Sequence, residues 1–142
     1  MDYRKAYLNL RDRQQQEVNN FPMFFAFNDH QFEEGLAKLG VTIDDIVSYC
    51  GIGDYMRKTD LQTFKDMETR HAKEIHEALK DQEFAFAAFL YEMDNHEYAI
   101  NWEGDTEVLG CLALNKHYLK EFGLEGTYRR AIRAHMEYAK DW

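Results

Sequence analysis

The chain has a single proline, Pro22, and a single serine, Ser48, and no Pro-, Gly- or Ser-rich linker or low-complexity tract interrupts it. Apolar runs near ~18 residues are missing too, and with a mean hydropathy of −0.65 this argues against a membrane-spanning helix. Cysteine is scarce. Cys50 and Cys111 lack CxxC spacing and read as free thiols of a reducing compartment. There is no G-x-S-x-G, no phosphate-binding P-loop, no HExxH, no zinc-finger Cys/His spacing and no EF-hand loop. The commonest signatures of hydrolases, nucleotide enzymes and dedicated metal sites are therefore absent. Residues 1–20 are charged throughout and lack the apolar segment of a secretion signal, so the expected location is cytoplasmic.

What is present is enough apolar surface for a core. The 142 residues are 45% apolar and 15% aromatic, which predicts one domain over 1–142. The net charge is −9, and residues 21–110 hold 19 acidic and 7 basic groups. Such a segment disfavours nucleic acid and anionic membranes and favours a basic protein surface. A solvated acidic face that keeps the chain soluble is the plainer reading.

The periodicity predicts a mainly α fold of six to seven helices packed around a buried central helix at about 82–94. Tyr3, Ala6, Tyr7 and Leu10 mark an opening amphipathic helix over Asp2–Val18. Asn28 followed by Gln31 forms a capping box whose glutamine is expected to reach the Asn28 backbone N–H, and Phe27 with Phe32 forms the matching hydrophobic staple. The run Phe21–Phe32 is expected to cross the core, and Gly40 to end its helix. Thr42 and Asp45 predict a short helix near Ile43–Tyr49. Near 47–57 the glycines Gly51 and Gly53 allow either a loop, the preferred reading, or a small β-hairpin. A long helix follows, with Leu61, Phe64, Glu68, His71, Ala72, Ile75 and Leu79 on one face. Asp81 caps the central helix, Asn101–Asp105 reads as a loop, and short helices from Thr106 and Lys116 lead to a final amphipathic one.

Candidate chemistry is sparse. Glu68-x-x-His71 places two possible metal ligands on one helix face, and Glu92-x-x-x-His96 is the nearest complement. A partly buried His71 bonded to a neighbouring carboxylate or carbonyl is the preferred reading. His76 reads as an ordinary surface residue, and His135 as a packed histidine with one satisfied nitrogen. Glu92, Asp94, Asn95, His96 and Glu97, with Glu103, Asp105 and Glu107, form the densest polar stretch, and it directly follows the most apolar helix. It reads as an interaction surface or simply as a capped helix end. Arg129, Arg130 and Arg133 make at most a small basic patch.

The segments NFPMFFAFNDHQFEEGLAKLG, the glycine-bearing turn before MRKTD, and EFAFAAFLYEMDNHEYAI together resemble an uncharacterised family of small acidic proteins from bacteriophages and mobile elements of gut Firmicutes. The likeness spans about Asn20–Ile100. It implies a context rather than a chemistry, because small acidic phage-borne proteins often bind host defence proteins. The expectation is a non-enzymatic interaction protein without a cofactor, which inhibits a host protein with a basic surface, such as a CRISPR effector nuclease. The alternative is a helical domain binding metal or a small ligand through Glu68, His71, Glu92 and His96.

Overall fold

A computed structural model describes residues 1–99 and 101–139; positions 100 and 140–142 of the expected 1–142 domain lie outside the described residues. Among the described residues, the α-helices are α1 (Tyr3–Asn19), α2 (Asp29–Leu39), α3 (Leu61–Ala78), α4 (Gln82–Asn95), α5 (Trp102–Gly110), α6 (Lys116–Glu121) and α7 (Glu125–Ala139). Three short strands, β1 (Met23–Phe25), β2 (Ile46–Val47) and β3 (Asp54–Arg57), accompany them. The fold is mainly α. The chain falls into two compact units, one of Met1–Gln14 with the chain from His71 onward, the other Gln15–Arg70.

In the first unit α4 is the central helix. Asp81 caps it by accepting hydrogen bonds from the Glu83 and Phe84 backbone N–H groups at 3.0 and 3.3 Å. Phe84, Ala85, Ala88, Phe89, Glu92 and Met93 bury one half of the helix, and Phe86, Leu90 and Tyr91 on the other half are partly covered. Those neighbours include Tyr7 and Leu10 of α1, Ile75 of α3, Val108 and Leu109 of α5, and Tyr128 and Ala131 of α7. The small side chains Ala85, Ala88 and Ala131 have no exposure, which lets α4 and α7 approach closely, and Phe89 meets Tyr128 edge to face at 5.1 Å. The segment Asn101–Asp105, expected as a loop, instead opens α5. Asn101 Oδ1 accepts from the Gly104 N–H at 2.7 Å, and Glu103 and Asp105 stand in the first turn, where the helix dipole favours negative charge. The polar residues there are a helix start.

In the second unit β1 and β2 both pair antiparallel with β3, giving the order β1-β3-β2. The hairpin exists, in place of the preferred loop. Its turn is organised by Asp54, which is only 1% exposed. Its carboxylate accepts from the N–H groups of Tyr49, Cys50 and Ile52 at 3.0, 2.9 and 3.2 Å and from the Ser48 hydroxyl at 3.1 Å. Gly51 and Gly53 supply the positive φ values, 73° and 90°, that close the turn. The short helix expected over Ile43–Tyr49 reduces to a 3-10 turn at Ile43–Asp45, because Ile46 and Val47 are drawn into pairing with Arg57 and Met56.

The start of α2 departs from expectation in two details. Asn28 Oδ1 accepts from the Gln31 N–H at 2.8 Å, but the Gln31 side chain accepts from the Phe27 N–H, one residue beyond the predicted partner. Phe27 is 75% exposed and staples nothing. Phe32 packs instead on Phe24 and Tyr55, with ring centroids 6.0 and 5.1 Å away. The cause is strand alternation: Phe24 lies opposite Tyr55 in the register and stacks on it at 5.3 Å, while Phe25 points to the other face and is largely exposed. The aromatic run is therefore divided between core and surface.

Two outcomes follow. Burial pushes the Asp54 carboxyl pKa up, but the N–H donors from Cys50, Ile52 and Tyr49 outweigh it and bring the pKa from 3.8 down to about 2. The stability this adds is complete above pH ~4 and is lost as pH falls towards ~2. Asp54→Asn should therefore cost roughly 1–3 kcal/mol at pH 7 in urea unfolding and progressively less below pH ~3. Gly35 of α2 is buried, and a Cβ there would sit within the Phe24 ring. Gly35→Ala should lower stability by ~1–3 kcal/mol despite alanine's better helix propensity, whereas Gly126→Ala, with open space around it, should be neutral or stabilising.

Candidate functional site

The last turn of α4 carries a carboxylate into the core of the first unit. Glu92 has no exposure, and its Oε1 accepts a hydrogen bond from Arg11 Nη1 of α1 at 2.9 Å. The Arg11 guanidinium also lies 5.8 Å from the ring centroids of Tyr7 and Tyr91. A buried carboxylate without such a partner would be strongly destabilising, so α1 and α4 are tied together by charge as well as by packing. The pairing is incomplete. Glu92 Oε2 and the Tyr7 hydroxyl are both buried and neither makes a well-formed hydrogen bond, although they lie near enough to each other to interact. Burial, and then the neighbouring Glu92 carboxylate, push the Tyr7 pKa far above its ordinary value.

His96 caps the same helix, its backbone N–H bonding to the Glu92 carbonyl at 3.0 Å. Its Nδ1 lies 2.8 Å from Glu107 Oε1 of α5, and its Nε2 lies 3.4 Å from Cys111 Sγ. Glu92, His96 and Cys111 thus bring one carboxylate oxygen, one imidazole nitrogen and one sulfur within 4.8 Å of one another. Burial, with the Glu92 charge next, pushes the Cys111 thiol up to about 11, so it is protonated at neutral pH.

Above this nest the remaining acidic residues separate into two kinds. Asp105 faces inward at 15% side-chain exposure and accepts from the Tyr98 and Tyr128 hydroxyls at 2.5 and 2.7 Å. Burial first, then Asp105, raises the Tyr98 pKa to about 12. Asp94 is bonded to His135 Nδ1 at 2.6 Å, and His135 Nε2 to the Tyr98 carbonyl at 3.1 Å, so both ring nitrogens of His135 are satisfied rather than the one expected. Asn95, Glu97, Glu103 and Glu107 are exposed. Glu97 holds a left-handed conformation with φ 51°, and neither it nor Glu103 has an ion-pair partner among the described residues.

The eight residues of the polar stretch are therefore close in the chain but divided in role. Glu92 is internal, Asp105 is mostly covered with Lys116 Nζ 3.6 Å from its Oδ2, Asp94 and His96 are held by histidine and carboxylate partners, and Asn95, Glu97, Glu103 and Glu107 face solvent. The metal set of Glu68, His71, Glu92 and His96 is not what the fold groups. Glu68 is exposed in the second unit, where its hydrogen bond raises the Tyr49 pKa, and Met67 takes the buried position of that helix turn. His71 is buried, with its carbonyl accepting from Gln14, and stands in a different donor group from Glu92 and His96. His76 is also no plain surface residue: Nε2 lies 2.8 Å from the Ala113 carbonyl and its ring packs edge-on against Phe122. What sequence reasoning missed is that Arg11, Tyr7 and Cys111 meet Glu92 and His96. Arg11 follows Tyr7 by four positions on the buried stripe of α1, and a charge on that stripe was the available signal.

A model of a family of unknown function (DUF7659) matches residues 6–131. No curated protein matches the chain, and no solved structure does. The family match extends past the Asn20–Ile100 span of the resemblance and takes in Tyr7, Arg11 and Cys111.

The division of the acidic residues is testable by charge reversal. Asp105→Lys places a cation against two buried hydroxyls and should destabilise the protein by ~3 kcal/mol or more, while Glu103→Lys, which loses only a favourable charge in the first turn of α5, should cost about 1 kcal/mol or less. Thermal unfolding of the two variants measures the contrast, and equal effects would mean that Asp105 is not the internal residue described.

Proposed function

We propose, for a chain that belongs to the DUF7659 family of unknown function, a non-enzymatic role: an acidic surface that binds and inhibits a basic partner protein in the cytoplasm. The observation that carries this reading is the exposed carboxylate group of Glu97, Glu103 and Glu107 at the junction of α4 and α5, where Glu97 and Glu103 have no cationic partner among the described residues. Such groups keep their hydration when the chain is alone and are available to a cationic surface, which gains attraction and orientation from them. The elements beneath are well packed, with Val108 and Leu109 of α5 and Met93 of α4 buried, so the carboxylates project from a firm support. No helix among the described residues is long and apolar enough to cross a membrane.

The resemblance to small acidic proteins of phages and mobile elements gives the partner class: a host defence protein with a basic nucleic-acid channel, such as a CRISPR effector nuclease. An inhibitor of that kind needs negative charge displayed on a fixed scaffold and no reactive centre. The absence of hydrolase and nucleotide-binding motifs from the sequence supports the same reading.

Affinity capture from a bacterial host lysate tests it. The partner should be retained at about 0.1 M salt and released at about 1 M, where the screening length falls from ~10 to ~3 Å. The double variant Glu97→Lys/Glu103→Lys should lose capture while its thermal unfolding stays within about 1 kcal/mol of wild type, since both side chains lie at the surface and only the first-turn charge of α5 is lost. A folded double variant that captures the partner undiminished would overturn the acidic-surface reading.

A further inference from the structure

Glu92, His96 and Cys111 meet in a geometry that their hydrogen bonds do not exhaust. A tetrahedral zinc ion bound at ~2.0–2.1 Å to nitrogen and ~2.3 Å to sulfur sets those two donors about 3.6 Å apart. His96 Nε2 and Cys111 Sγ stand at 3.4 Å. His96 Nδ1 is engaged by Glu107 at 2.8 Å, which turns Nε2 towards the sulfur; this is the carboxylate–histidine arrangement that orients metal-ligating imidazoles. The independent observation is Glu92 Oε2. It belongs to a side chain with no exposure and makes no well-formed hydrogen bond, with only the Tyr7 hydroxyl and the Cys111 thiol near the carboxylate as donors, although Oε1 of the same group is bonded to Arg11. A buried carboxylate oxygen left without a well-formed hydrogen bond is rare in folded proteins.

We propose that Glu92, His96 and Cys111 form a three-ligand site for a divalent transition metal of the zinc class, with Glu107 as the residue that positions His96. The mixture of carboxylate, imidazole and thiolate suits zinc better than magnesium or calcium, which take oxygen ligands. Binding replaces the S–H bond of Cys111 with a sulfur–metal bond, and the proton leaves to solvent. The thiolate, Glu92 and Glu107 together then balance the ion and Arg11, so the filled site is electrically neutral. Three protein ligands leave a fourth position for water, and the buried Tyr7 hydroxyl beside the same carboxylate gives that water a hydrogen-bond partner. The metal would fasten the C-terminal end of α4 to that of α5.

The test uses the full chain, stripped with chelator and titrated with Co2+ and Zn2+. Wild type should bind about one equivalent of Co2+ with a thiolate-to-cobalt charge-transfer band and tetrahedral d–d absorption, which Zn2+ displaces. Cys111→Ser should lose the charge-transfer band and at least about 100-fold in Zn2+ affinity; Glu107→Gln should lose ~10–100-fold, and Cys50→Ser nothing. Because Cys111→Ser alters a partly buried position, a second reading needs no variant: Zn2+ should protect Cys111 of wild type from alkylation while leaving Cys50 reactive, as followed by peptide mass. Absence of the cobalt–thiolate band in wild type, or alkylation of Cys111 at an unchanged rate in Zn2+, would overturn the site. Retention of the band in a folded Cys111→Ser protein would do the same.

Discussion

The first unit depends on one ion pair whose carboxylate is buried and whose arginine reaches in from the surface. Glu92 has no exposure and Arg11 reaches it at 2.9 Å. Removing a carboxylate from water is expensive, and the cost is met only while Arg11 stays in place, so the pair allows one rotation of α4 against α1. Hydrophobic burial alone would not impose that choice. The flank of α4 that includes Phe84, Ala88 and Phe89 is apolar enough to slide or rotate with modest loss, whereas a misplaced charge would cost several kcal/mol. Tyr7 and Tyr91, whose rings flank the Arg11 guanidinium, reinforce the same register.

The second unit uses a carboxylate differently. Asp54 faces no arginine; its charge is held by three backbone N–H groups and a serine hydroxyl of its own hairpin turn. Burial opposes that charge and the hydrogen bonds overcome the opposition, which is why its pKa settles near 2. Asp105 is a third case, an acceptor for the hydroxyls of two buried tyrosines. In an acidic protein these internal carboxylates are indistinguishable by composition from Glu97 and Glu103, which face water. The net charge of −9 therefore overstates what a partner would meet at the α4–α5 junction.

The local grammar of the helices was legible from the chain alone. Asn28, Asp81 and Asn115 each accept hydrogen bonds from the N–H groups of the first helical turn, and Gly40 and Gly123 end their helices with φ near 70°, because caps involve residues within four positions of one another. The central place of α4 was legible as well, since a helix apolar on most of its surface has to be surrounded. Where the reading failed, a longer-range contact had intervened. Phe27 was expected to staple α2, but pairing of β1 with β3 fixed which phenylalanines face inward and handed that role to Phe24. Asn101 looked like a loop residue because its capping role shows only when the helix behind it packs.

The sequence by itself determined the fold class, most helix boundaries and the acidic balance, for these follow from periodicity, capping and counting, which are properties of neighbours along the chain. Tertiary structure alone decided which acidic residues are internal and which histidine meets which cysteine. Arg11 and Glu92 are 81 positions apart, and Cys111 is 15 from His96. Nothing in either segment specifies that distant partner. The burial of a charge is set by what packs over it, and that is known only when the helices are in place.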